Sequence, residues 1–241
     1  MAQLQRKQQL EGVIGPFYIR ELNGKTIMQS RTINPRQSKG TRASGLSFSY
    51  AVKQSKAVRQ VLRPLLEAGT DPYASQRLTG ALHQAFHFPQ GYEEPYTLFT
   101  ADLSALVGFE FHQRSPLRPL LPFTFPFEVT DDGCLCLPAV EVAAVPTKLL
   151  PDTRSSCALV FMVASWAPNV GDKAATAVFS FEMHRHIPTA MALQTDAYPE
   201  GTRLIVAAQL LVWNGCTVLG DKNYCNSKSF NPVQVVFTGV V

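Results

Sequence analysis

Apolar and polar positions change their period twice along the chain, and the changes divide it. Phe17-Tyr18-Ile19-Arg20-Glu21-Leu22 and Lys25-Thr26-Ile27-Met28-Gln29-Ser30 are extended-looking runs on either side of Asn23-Gly24, two residues that tolerate positive φ. This predicts a hairpin over 13–30. Residues 31–45 are polar, basic and glycine-containing, with too little apolar surface to fold alone, and read as a linker arm. From 46 to 67, Phe48, Ala51, Val52, Val58, Leu62, Leu65 and Leu66 recur at three- and four-residue steps, the period of a helix. Pro64 is expected to kink or end it and Gly69 to stop it. Asp71-Pro72 offers a cap and a first-turn proline to a second helix, with Leu78, Ala81, Leu82 and Ala85 on its apolar side and its end near His87.

Beyond residue 95 the pattern becomes extended. Tyr96 to Phe111 and Pro122 to Thr130 are rich in Phe, Leu and Thr. Pro116, Pro119, Pro122 and Pro126 crowd the space between them, which excludes a central strand and predicts an edge or a linker. Five strands are then expected, at 134–142, 157–166, 174–183, 203–213 and 233–240, separated by turn formers. The run 157–166 is apolar on both faces and should be central. In 174–183, Thr176, Ser180 and Glu182 alternate with Ala177, Phe179, Phe181 and Met183, so one face should be wet. The expected class is α+β: a hairpin, linker arm and two helices over 1–92, then an antiparallel immunoglobulin-like or fibronectin-like β-sandwich over 96–241.

Charge adds a statement about partners. Residues 1–64 hold twelve Lys and Arg against only Glu11 and Glu21, a net +10; the whole chain of 241 residues is +4, so residues 65–241 carry −6. Such asymmetry favours head-to-tail contact between copies, or contact with a polyanion such as nucleic acid. Lys53, Lys56, Arg59 and Arg63 form a stripe on the face of the first helix away from its apolar side. No stretch approaches the ~18 apolar residues of a membrane-spanning helix, and no apolar segment follows the basic residues at the N-terminus, so a secretory signal is not expected.

Candidate chemistry is thin. Five cysteines, Cys134, Cys136, Cys157, Cys216 and Cys225, include no CxxC pair and read mostly as buried thiols, with a Cys216–Cys225 disulfide left open. His83 and His87, four apart on a helix, invite a metal site with His112, but the HExxH glutamate is missing and a solvated polar face explains the pair first. His184 and His186 fit a strand end. Glu93-Glu94 and Asp131-Asp132 sit among turn formers, where adjacent carboxylates usually serve solvation. Ser155-Ser156-Cys157 has no base at a recognisable spacing. With no GxSxG, Walker loop or GxGxxG, the sequence points to no enzyme, no cofactor and no metal.

Gly12-Val13-Ile14-Gly15-Pro16-Phe17, the short hairpin, Asn34-Pro35 and a helix reaching Leu62-Arg63-Pro64-Leu65 resemble an uncharacterised family of small bacterial proteins with a β-rich C-terminal half, as does the Gly201-Thr202 turn before a long strand. Members mostly place Gly-Lys after the Phe, where this chain has Tyr18-Ile19-Arg20. The resemblance implies a module and transfers no catalytic residues. The expected function is therefore a non-enzymatic structural subunit that assembles with copies of itself into a filament, tube or phage-tail-like particle. Its expected contacts are Arg31, Arg36, Lys39, Arg42, Lys53, Lys56, Arg59 and Arg63, together with Val235 and Phe237 on an apolar final strand that offers an edge. A competing reading is a glycan-binding sandwich using exposed loop aromatics such as Tyr92, Tyr96 and Tyr198.

Overall fold

The computed structural model describes residues 3–4, 10–22, 25–30, 38–86, 97–144, 150, 155–168, 174–183, 188–216 and 222–241. Two compact units divide it, Met1–Arg42 and Ala43–Val241. The first is an antiparallel meander of β1 (Gln3–Leu4), β2 (Leu10–Ile14), β3 (Phe17–Leu22) and β4 (Lys25–Ser30). Leu22 lies opposite Lys25, the register that a two-residue loop imposes. The expected hairpin is present, and it is extended by strands that lacked a clear alternating pattern.

In the second unit, helices and strands share one body. In chain order its elements are α1 (Lys39–Val61), α2 (Arg63–Leu66), α3 (Ala74–Ala85), a 3-10 turn (Ser104–Leu106), α4 (Leu117–Leu120), β5 (Glu128–Val129), β6 (Cys134–Val142), β7 (Ser156–Trp166), β8 (Ala174–Met183), β9 (Thr189–Ala197), β10 (Arg203–Cys216), β11 (Lys222–Tyr224) and β12 (Val233–Val240). The chain is thus a mixed α+β protein with a β-rich part. One sheet runs β11-β10-β7-β8, with β12 on the same side of β10 as β11; the other runs β5-β6-β9; all these pairs are antiparallel.

The long strand β7 organises both layers. Leu159, Phe161 and Val163 on one face, with Leu204, Val206 and Ala208 of β10, join Leu135 and Leu137 of β6 and Met191 and Leu193 of β9 in a single core. On the opposite face Val160, Met162 and Ala164 meet Ala51 and Val58 of α1, Leu62 just after it, Leu78 and Leu82 of α3, and Val233 and Val235 of β12. Each such side chain contributes on the order of 2 kcal/mol by leaving water, which is why so apolar a strand must sit in the middle. The helices therefore pack with the strands, and the compact units part at 42/43.

Several element ends depart from expectation for local reasons. Helix α1 starts at Lys39, ahead of 46, because the Ser38 Oγ accepts the Thr41 amide at 3.1 Å and caps the turn. Helix α3 starts at Ala74 rather than at Pro72: Asp71 accepts the Tyr73 amide through Oδ1 and spends itself on a turn before the helix. The proline-rich stretch forms the single-turn helix α4 and no strand, and only the two-residue edge strand β5 follows it, in keeping with its lost donors. Strand β9 had no strong signal, since Thr-Ala-Met-Ala-Leu-Gln-Thr-Asp-Ala is dominated by residues that do not favour strands.

Buried polar groups tie the layers together. Gln209 Nε2 donates to the Leu65 carbonyl at 2.8 Å and to Asn231 Oδ1 at 2.7 Å. Asn231 Nδ2 donates in turn to the carbonyls of Leu65 and Gly69. These bonds satisfy carbonyls left unpaired where α2 ends, and so fix that end on β10.

Candidate functional site

The basic stripe on α1 falls where the helical period puts it. Ser47, Ala51, Gln54, Ser55 and Val58 face inward, and Lys53 and Lys56 are exposed on the other side. Arg59 is half-buried and its Nε has no hydrogen-bond partner among the described residues. Arg63, exposed, lies 3.6 Å from Glu67. Lys39 and Arg42 are exposed in the first turn of α1, and Arg31 and Arg36 lie outside the described residues.

The final strand does not offer the expected edge at Val235. Its side chain is buried in the core beneath the helices. Its amide donates to the Phe109 carbonyl at 2.9 Å, and its carbonyl accepts the Gly108 amide at 2.8 Å. Phe111 N–H closes on the Val233 carbonyl, and Glu110 pairs with Gln234. Segment 108–111 thus covers the outer side of β12 at its start, which removes Val235 from any assembly surface. Phe237 is half-buried, with its ring 5.9 Å from that of Phe127.

On the other side of the sheet, β8 has no further strand paired to it among the described residues. The sheet order ends there, and β8 pairs with β7 over ten positions without a register shift. Hydrogen bonding alternates along each strand. Leu210 donates to Pro232 and Val212 accepts from Cys225, so even positions of β10 face β12 and β11 while odd ones face β7. Carried across β7, the alternation turns the backbone groups of Thr176, Val178, Ser180 and Glu182 outward. The side chains of these four residues are also exposed, while Ala177, Phe179 and Phe181 pack on the core. The sequence carried this signal as an alternating strand with one wet face; which edge stayed open depended on the pairing order.

Charge is segregated further than the sequence split suggested. Residues 119–144 and 188–202, which supply β5, β6, β9 and their turns, contain Glu128, Asp131, Asp132, Glu141, Asp196 and Glu200 and no Lys or Arg. All six carboxylates are exposed.

Glu110 is a half-buried carboxyl with a shifted pKa. It accepts the Leu117 amide at 3.1 Å and Gln234 Nε2 at 2.8 Å, yet burial outweighs these donors and pushes its pKa up to about 7. It ties α4 to β12 and stands beside no second acid or base within bonding distance among the described residues.

Two of the five histidines, His83 and His112, lie among the described residues. His112 is buried, with Nε2 donating to the Lys228 carbonyl at 2.9 Å and Nδ1 accepting the Ser115 amide at 3.1 Å, so both ring nitrogens are used. His83 lies against Ser47 and edge-on to Phe48. His87, His184 and His186 lie outside the described residues, among which no cluster of metal-binding side chains forms. Tyr198 is half-buried against the core rather than exposed, and burial raises its phenol pKa; Tyr92 and Tyr96 lie outside the described residues. Asp131 and Asp132 occupy an exposed turn closed by Gly133 N–H to the Thr130 carbonyl. Ser155 is buried and donates its hydroxyl to Asn214 Oδ1. Cys134, Cys136 and Cys225 are half-buried and Cys157 buried, while the Cys216 side chain lies outside the described residues. No helix is long and apolar enough to cross a membrane among the described residues. Comparison with known proteins brings no match: no family model fits the chain, and neither a curated protein nor a solved structure is similar to it.

Proposed function

We propose that the protein is a non-enzymatic structural subunit that associates with copies of itself, building a filament, tube or tail-like particle. The observation that carries this reading is the segregation of charge. The first 64 residues carry +10, while the chain segments of the three-stranded sheet carry six exposed carboxylates and no cation. Unlike surfaces on one molecule make a heterologous contact, which propagates unless its rotation closes a ring.

The two sheets are read as an immunoglobulin-like or fibronectin-like sandwich. The order β5-β6-β9 facing β12-β10-β7-β8 corresponds to strands A-B-E facing G-F-C-C′ of that class. The same reading places the chain with the small bacterial proteins whose Gly-Pro-Phe opening it resembles. Contact of exposed Lys53 and Lys56 with an external polyanion is the second reading, favoured by their position on the solvent side of α1.

Charge reversal tests the reading on the full chain. The triple variant Lys53→Glu, Lys56→Glu, Arg63→Glu, all exposed positions, should shrink the particles at least about tenfold in affinity, since three like-charge contacts each cost on the order of 1 kcal/mol. Particles of unchanged size and salt response would overturn the charge-guided contact.

A further inference from the structure

The geometry points to an antiparallel pairing of β8 with β8 of a second copy, centred on Val178, that joins two five-stranded sheets into one. This rests on the self-association reading and names one of its surfaces. Open strand edges recruit other strands unless something blocks them, and proteins usually block them with Pro, Lys, bulges or inward charges. Strand β8, Ala-Ala-Thr-Ala-Val-Phe-Ser-Phe-Glu-Met, has none of these. Its one charged residue, Glu182, sits near the end and is already paired with Lys222 at 3.4 Å.

The strand is also complementary to itself. A two-fold axis at Val178 opposes outward-pointing backbone groups only, as the alternation requires. It sets Val178 against Val178, Thr176 against Ser180 and Ala174 against Glu182. These are a β-branched pair, a hydroxyl pair and a pair without like charges, each favourable or neutral across strands. Val178 is 59% exposed, an apolar side chain left in water that the pairing would cover. On the opposite side of the sheet, the start of β12 is already taken up by its bonds to segment 108–111. A contact of this kind is isologous and closes on itself, so it makes pairs, which the charge-guided contact then links.

Light scattering on full-length Val178→Lys and Val178→Glu, alone and mixed in equal amounts, tests the pairing. Each variant alone should halve the mass of the smallest assembled species, and the mixture should restore it, because position 178 faces its own copy. Thr176→Lys with Ser180→Lys, which puts four cations across the same axis, should give the same loss if a Val178 variant folds poorly by circular dichroism. If wild type assembles and the variants keep its mass, or if the mixture restores nothing, the β8 contact is wrong while self-association stands. A wild type that stays monomeric would overturn both.

Discussion

The amide of Val235 on β12 donates to the carbonyl of Phe109 at 2.9 Å, although the two residues are far apart in sequence. Through that bond and its neighbours, a loop after the 3-10 turn does for the start of β12 what another strand would do, while among the described residues no strand pairs with the outer side of β8. Hydrogen exchange reads this directly. In dispersed protein the amides of Gly108, Phe111 and Val235 should exchange slowly, and those of Thr176, Val178 and Ser180 quickly. Assembly should slow the second set; fast exchange at Val235 would show that the loop does not cover the edge.

Arg203 is buried, and its Nε donates to the Leu98 carbonyl at 2.8 Å while Nη2 donates to those of Phe99 and Ala101. The guanidinium thereby pins the 97–101 turn to β10. Arg203→Met should destabilise the unit by about 3 kcal/mol or more, since three carbonyls lose their donor and each such loss costs roughly 1–3 kcal/mol. Arg203→Lys should recover little, because a single ammonium lacks the planar fork that reaches separate acceptors. Urea unfolding of the variants measures both; a Met variant as stable as wild type would deny the turn its anchor.

Glu110 makes stability depend on pH. Its pKa is raised from 4.5 to about 7 in the folded protein, chiefly by burial. The folded state therefore holds the proton more tightly than the unfolded chain, and neutral Glu110 favours folding. Its contribution is complete below about 4.5 and is lost as pH rises through about 7. The thermal midpoint should fall between these values in wild type and flatten over the same interval in Glu110→Gln, which keeps an acceptor for Leu117 or Gln234. A wild-type midpoint that climbs across the interval would contradict the assignment.

Gly133 adopts φ +77°, and a Cβ there would lie 2.9 Å from the Tyr198 carbonyl oxygen. The Tyr198 amide donates to the Gly133 carbonyl at 2.9 Å, so the close approach closes the end of the β6–β9 pair. Gly133→Ala should cost about 1–3 kcal/mol, from left-handed strain and from a backbone contact that cannot give way. Calorimetry on the variant checks this, and an unchanged midpoint would mean the turn relaxes freely.

Much of the strand layout was legible because side-chain period reports burial. Cys134–Val142, Ala174–Met183 and Val233–Val240 coincide with runs expected as strands, the second of them from its alternation, and β7 proved central because both of its faces are apolar. Strand β9 escaped because its inward residues, Thr189, Met191 and Leu193, are set among alanines and a glutamine, and pairing with β6 rather than propensity makes it a strand. Helix α1 gained its early turns from one serine cap. The basic stripe was readable as a helical face. Val235 was not, because an apolar strand near an end looks like an edge until the segment beside it is known; nor were Arg203 and Glu110, whose roles come from partners distant in sequence.

The central claim, a charge-guided self-assembling subunit, is tested most directly by light scattering with electron imaging at about 50 mM and about 500 mM salt, which shortens the screening length from roughly 14 Å to 4 Å. Large regular particles at low salt that loosen at high salt are the predicted result. A monomer at both salt concentrations would contradict the account.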